Sequence, residues 1–169
     1  IGRKINNESV NDNMGGSEFL EVFFEKVSGK CPDIDIEYEK RLQRLCLDLI
    51  DGRFIKSAHD VSSGGLAVTI AESCIYGKMG AEINASLLGN NFLKTFYSEP
   101  QSQILISCQP ENLEKIEKYC IEAKIPFEKI GKVKGTFISI NSEIKKYDSY
   151  RNKVSQKYKK SDYKKSVEQ

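Results

Sequence analysis

From Phe54 to Glu72 the chain runs from strand to glycine turn to helix in immediate succession, and no other stretch restricts its fold as strongly. Phe54-Ile55-Lys56-Ser57-Ala58 is short, apolar and bounded by Asp51-Gly52, as a buried strand would be. Leu66, Ile70, Ala71, Cys74 and Ile75 recur at helical spacing until Gly77 stops the run. Between them, Ser62 or Ser63 is the expected N-cap, and Gly64-Gly65 lets backbone come close to whatever sits above the turn. The first amides of a helix have no partner inside it and lie at the positive end of its dipole, so a phosphate there meets donors without a lysine. A tight structural turn that caps its own helix explains the same residues. His59, the only histidine in the chain, reads either as a hydrogen-bonded structural residue or as the sole source of imidazole chemistry.

The rest of the chain supplies helices and strands in mixed order. Ile1 to Ile5 reads as the end of a strand and Asn6 to Asn13 as a loop. Gly15-Gly16-Ser17 opens a helix with Phe19, Leu20, Phe23 and Phe24 on one face. After the break at Cys31-Pro32-Asp33, Leu42, Leu45, Cys46, Leu49 and Ile50 keep the three-and-four spacing that packs onto a sheet, until Gly52. Gly80 to Asn84 is a strand candidate, Phe92 to Tyr97 a short element of undecided type, and Ile104 to Cys108 the clearest strand. Pro110 starts a helix carrying Leu113, Ile116, Cys120 and Ile121. Phe127 to Val133 and Thr136 to Ile140 read as a hairpin-like pair of strands around Lys134-Gly135. This order predicts an α+β fold, a mixed β-sheet with helices packed against it.

With 169 residues the chain has room for one domain and a tail: a body over 1–142 and a basic C-terminal helix or tail over 143–169. Residues 144–169 hold nine Lys or Arg against three Asp or Glu, which leaves 17 basic and 21 acidic residues in a mildly acidic body. Tyrosines alternate with the lysines of the tail, but no nucleic-acid-binding motif accompanies them, so nucleic acid is not expected as a partner. No apolar run approaches the membrane length and no secretion leader is evident, so a soluble cytoplasmic protein is expected. Five scattered cysteines without a CxxC pair argue against a zinc site and a disulfide framework, and place Cys46, Cys74 and Cys120 in the core. Ile1 in place of a methionine leads us to expect a piece of a longer polypeptide.

A second polar constellation, Tyr97-Ser98-Glu99-Pro100-Gln101-Ser102-Gln103, stands just before the strand at Ile104, and loops at strand ends are where sites are built. Glu99 is suited to bind Mg²⁺, a ribose hydroxyl or an amine, and Ser98, Gln101 and Ser102 to contact ligand oxygens; a solvated loop with Glu99 paired to a lysine is the alternative. Glu72, in an otherwise apolar helix, is expected to be exposed or salt-bridged.

Taken together, Met14-Gly15-Gly16-Ser17-Glu18-Phe19-Leu20, then His59-Asp60-Val61-Ser62-Ser63-Gly64-Gly65-Leu66, then Tyr97 to Leu105 resemble the C-terminal domain of the phosphoribosylformylglycinamidine synthases, within the aminoimidazole ribonucleotide synthetase-like superfamily. The resemblance covers roughly residues 1 to 142. It implies a domain packed on an N-terminal ATP-binding domain of the same polypeptide, with ATP and Mg²⁺ as cofactors of the full-length enzyme and a glutaminase subunit supplying ammonia, in a homodimer or multi-subunit complex. In that family ATP activates the amide oxygen of formylglycinamide ribonucleotide and ammonia displaces phosphate to give the amidine, so the protein's task is to position and neutralise charge. By analogy Ser62, Ser63, Gly64 and Gly65 hold a phosphate, Glu99, Gln101 and Ser102 line the same cleft, and His59 and Asp60 support the turn. No residue of this chain is expected to be catalytic or a metal ligand by itself. Ser63 stands where the family commonly has an acidic residue, Gln103 where it has arginine, and Pro100 where it has a small polar residue; losing the arginine removes a bidentate anion partner. A domain of another ATP-dependent enzyme of the superfamily, a small-molecule kinase or aminoimidazole ribonucleotide synthetase, and a non-catalytic dimerisation or docking module, are the other readings.

Overall fold

The computed structural model describes residues 1–3, 14–88 and 91–141. The basic tail, the 142/143 boundary and the loop Asn6–Asn13 lie outside the described residues. In chain order the elements are α1 (Glu18–Phe24), α2 (Ile36–Asp51), β1 (Ile55–Asp60), α3 (Gly65–Gly77), β2 (Ala81–Asn84), α4 (Phe92–Tyr97), β3 (Ile104–Cys108), α5 (Leu113–Ala123), β4 (Gly131–Val133) and β5 (Ile138–Asn141). The α+β expectation holds, and the segment Phe92–Tyr97 is a helix, started by the Asn91 side chain, which accepts from the Lys94 amide at 3.1 Å.

The strands form two sheets. β1 pairs antiparallel with β3, from Ile55 opposite Cys108 to Asp60 opposite Ile104. The start of the chain adds to the far edge of β3: Ile1 and Ile104 exchange backbone hydrogen bonds of 2.9 Å, and Gly2 bridges to Gln103. In the second sheet β2 lies between β4, antiparallel, and β5, parallel. The expected hairpin of the last two strands is therefore corrected, because β4 and β5 are not neighbours. Gly80 explains how: a Cβ there would lie 2.3 Å from the carbonyl oxygen of Phe137 and 2.8 Å from that of Lys134. Without a side chain in the way, residues 134–137 cross the start of β2, tied by Gly80 N–H to Gly135 O at 2.7 Å, and the chain re-enters on the other side.

Two apolar cores hold these sheets. Leu42, Leu45 and Leu49 of α2, at the spacing that puts them on one helix face, pack with Ile116 and Cys120 of α5 and with Ile125, beside the β1–β3 sheet. Leu66 and Ile70 of α3 pack with Phe96 of α4 and with Ala81 and Ile83 of β2. The helix α1 behaves otherwise. Phe19 stacks on Tyr97, with ring centroids 4.8 Å apart, but Phe23 and Phe24 are exposed, so the expected apolar face does not enter a core. Cys46 and Cys120 are buried as expected, Cys74 is half-buried, and all five thiols are free.

Ile116 is fully buried, so Ile116→Ala should lower unfolding stability by ~2–5 kcal/mol in denaturant titration. Burial pushes the Cys120 and Cys46 thiols above their ordinary range. The folded state then holds those protons more tightly than the unfolded chain, so their contribution is complete below the ordinary thiol pKa and is lost as pH rises through the raised folded values. The melting temperature should fall as pH rises above the ordinary thiol pKa of about 8.5, and Cys120→Ala should shrink that fall.

Candidate functional site

The turn between β1 and α3 is built on two left-handed glycines, φ 79° at Gly64 and 67° at Gly65. A Cβ on Gly65 would stand 2.5 Å from the carbonyl oxygen of Ser98 and 2.8 Å from that of Phe96, both fixed backbone atoms. The turn thus touches the chain leaving α4 because no side chain intervenes. Gly64 occupies the N-cap of α3, and no side chain of the cap residue bonds to the helix. The expected serine cap is corrected: a second left-handed residue moves the helix start beyond Ser62 and Ser63, which remain exposed before it.

The capping anion comes from far along the chain. Glu99 Oε1 accepts the Gly64 N–H at 2.8 Å and the Glu18 N–H, first of α1, at 2.9 Å. Both amides lie where a helix leaves its donors unpaired, so a carboxylate is favoured there by charge and by hydrogen bonding. Among the described residues Glu99 pairs with backbone and not with a lysine. Gly65 N–H donates to Ser62 O at 2.9 Å. The turn's own two glycine amides are accordingly engaged by protein atoms, while the amides of Leu66 and Ala67 have no intrahelical acceptor and Ser62 and Ser63 are exposed.

His59 and Asp60 support the same turn from β1. The imidazole Nδ1 lies 2.8 Å from the Asp60 carbonyl oxygen and Nε2 lies 3.2 Å from Glu72 Oε2 on α3, so the ring bridges strand and helix. Thr69, fully buried, donates to Gly65 O at 3.0 Å and stands 3.3 Å from Asp60 O. Glu72 is therefore paired, as expected.

On the third segment, Gln101 is exposed, while Ser102 is buried and left-handed at φ 65°, a conformation that non-glycine residues seldom adopt. The Ser98 and Ser102 hydroxyl oxygens are buried with no hydrogen-bond partner among the described residues. Gln103 donates its amide to Arg3 O at 2.6 Å and fastens the start of the chain. Glu18, Thr69 and the carbonyl of Ser98 escaped the sequence reading because their roles arise from backbone approach, which leaves no residue-type signal. A cleft of about 1120 Å³ between the sheets is lined by His59, Leu66, Ile70, Leu105 and Ile130. Ser62 to Gly65, Glu99, Gln101 and Ser102 do not line it, although His59, Val61, Leu66 and Gln103 to Leu105 of the same motif segments do. Among the described residues no three His, Cys, Asp or Glu side chains gather to hold a metal ion, and no helix is long and apolar enough to cross a membrane.

Gly65→Ala should be strongly destabilising, by ~2 kcal/mol or more, since the new methyl meets backbone in a left-handed turn. Gly16, also left-handed at φ 70° but with nothing within 4 Å of a Cβ, should cost less on the same change. Paired thermal melts of the two variants check the difference.

Comparison with known proteins agrees with this architecture. The family model described as "AIR synthase related protein, C-terminal domain" matches residues 5–140. The phosphoribosylformylglycinamidine synthase subunit PurL of Caldanaerobacter subterraneus is 44% identical over 128 residues, 76% of this chain and 17% of the relative. PurL of Synechocystis is 34% identical over 120 residues, 71% of this chain and 16% of the relative. The chain thus spans about one sixth of the length of the curated relatives it matches. Among solved structures, Thermotoga maritima PurL complexed with FGAR superposes with a TM-score of 0.69 at 15% identity, over 83% of this chain and 24% of that one. The hydrogenase maturation protein HypE of E. coli gives 0.54 at 17% identity, over 79% and 45%; both likenesses show the fold. With the α+β architecture and the matched span in accord, the chain belongs to the family of AIR synthase related protein C-terminal domains.

Proposed function

We propose that this chain is the C-terminal domain of a PurL-type phosphoribosylformylglycinamidine synthase, which converts formylglycinamide ribonucleotide, ATP and glutamine-derived ammonia to the amidine in de novo purine synthesis in the cytoplasm. The identity of 44% to PurL across 128 residues carries this reading. The solved structure with the best-fitting fold quoted above was obtained with FGAR, and another Thermotoga maritima PurL structure was obtained with ATP, which supports a substrate-facing role.

In this reading the ribose phosphate of the substrate lies against the turn before α3. Ser62 and Ser63 supply hydroxyls and Leu66 and Ala67 supply amides at the positive end of the helix, with Gly64 and Gly65 shaping the approach. Gln101 and Ser102 border the same surface from the third segment, next to Glu99, and His59 and Asp60 hold the strand side. The described residues do not fit a Mg²⁺ cage, because no three His, Cys, Asp or Glu side chains among them gather to hold a metal ion. ATP and Mg²⁺ are therefore assigned to the remainder of the polypeptide, where ATP supplies the phosphoryl group that makes the amide oxygen a leaving group. This chain contributes orientation and charge neutralisation. A structure of the complex PurLQS from Thermotoga maritima supports an assembly with further subunits, among which a glutaminase would deliver ammonia.

The full-length polypeptide carrying this segment should restore purine-independent growth to a bacterium lacking its own PurL. In the purified protein the Ser62→Ala/Ser63→Ala pair should raise KM for formylglycinamide ribonucleotide roughly tenfold, as expected for two lost phosphate contacts, and leave KM for ATP within about twofold. Failure to complement, with phosphorylation of some other small molecule, would replace this reading by a kinase of the same superfamily.

A further inference from the structure

We infer that Glu99 is a positioning residue that assembles the site by locking two distant segments together through a single oxygen. This deepens the proposed function, since its effect on turnover is read through that reaction. The sequence suggested the opposite role, a carboxylate offered to Mg²⁺, ribose or an amine.

The geometry carries the inference. Oε1 is 2.8 Å from the Gly64 amide and 2.9 Å from the Glu18 amide. These donors belong to two of the three motif segments, and Glu99 belongs to the third. The segment from Met14 to Lys30 needs such a fastening. It leaves and returns at one place, closed by Gly16 N–H to Ser28 O at 3.0 Å and by Gly15 packed on Lys30, where a Cβ would lie 2.2 Å from the carbonyl oxygen. Its helix buries no residue. Its contacts with the body include the stack of Phe19 on Tyr97 and the Glu99 carboxylate, which sit two residues apart on one strand of chain. The same oxygen fixes Gly64, whose left-handed backbone sets the direction of the first amides of α3. A shift at Glu99 therefore moves the Gly16–Glu18 loop and the phosphate-facing turn together.

Because both donors are amides, an uncharged acceptor oxygen can keep them, and this separates positioning from ligand contact. In the full-length polypeptide, Glu99→Ala should speed hydrogen exchange roughly tenfold or more in peptides covering both 14–20 and 60–66, with peptides covering Leu42–Leu49 unchanged. Glu99→Gln, which retains the acceptor, should recover most of that protection. In the amidine-forming assay Glu99→Ala should raise KM for the ribonucleotide roughly tenfold with kcat within about threefold, and Glu99→Gln should recover most of the lost affinity. If Glu99→Ala proves unfolded, Glu99→Asp, shorter by one methylene and unable to span both amides, replaces it with the same expected loosening. The inference is overturned if only one segment or neither loosens, or if Glu99→Gln impairs KM as severely as Glu99→Ala, which would mean that the charge itself meets the ligand. Absence of amidine formation by the wild-type protein would refute the proposed reaction, and the exchange data would still decide the role of Glu99.

Discussion

The arrangement of the motif loops rests on one carboxylate oxygen shared between two helix starts. Unpaired amides at the beginning of a helix are a fixed demand of the backbone, met by a side chain, by water or by a ligand. Here Glu99 meets it for α1 and α3 at once, from a loop that follows α4. Half-buried and charge-assisted, such a bond is stronger than one between neutral partners, and it fixes direction as well as distance. The left-handed pair at Gly64 and Gly65 then follows, because only glycine lets the turn come close to the carbonyls of Phe96 and Ser98 while presenting its amide to Glu99.

Around that node the molecule separates support from recognition. The α2–α5 core lies beside the β1–β3 sheet, and the α3–α4 core lies against β2 and also takes in Val61, just after β1, and Leu105 of β3. The imidazole and the Thr69 hydroxyl then join strand to helix across the turn. This leaves Ser62 and Ser63 exposed on a rigid base, the combination expected of a surface that orients a ligand. The buried hydroxyls of Ser98 and Ser102, without a partner among the described residues, and the left-handed backbone of Ser102 place further local cost in the adjoining loop.

Periodicity made most of the elements legible. Leu42, Leu45, Cys46 and Leu49 declared α2 because one of its faces had to be apolar, Asp51-Gly52 declared its end, and the short run of apolar residues from Ile104 declared a strand that is half-buried along its whole length. Motif wording made the family legible, because His59 to Leu66 joins residue types that only a tight strand-to-helix turn requires together. Three things were not legible. Ser62 and Ser63 looked like caps because serine is a common one, yet Gly64 and a remote glutamate meet that need instead. Phe23 and Phe24 looked like core because of their spacing, and spacing does not report whether a partner surface exists. The last two strands looked like a hairpin because proximity in sequence favours one, while the passage over bare Gly80 is a tertiary fact.

That passage has a consequence for how the molecule is made. A hairpin of β4 and β5 would have been a local structure able to zip up from its own loop. Instead Ala81 must wait for Ile138, and Ile83 for Ile140, before the parallel edge exists. Non-local, parallel pairings close late and slowly because a long loop of chain must be ordered first. During synthesis on the ribosome β2 therefore stays half-clothed until nearly the whole domain has emerged, and the interval before β5 arrives is the period of greatest exposure to wrong edge-to-edge association.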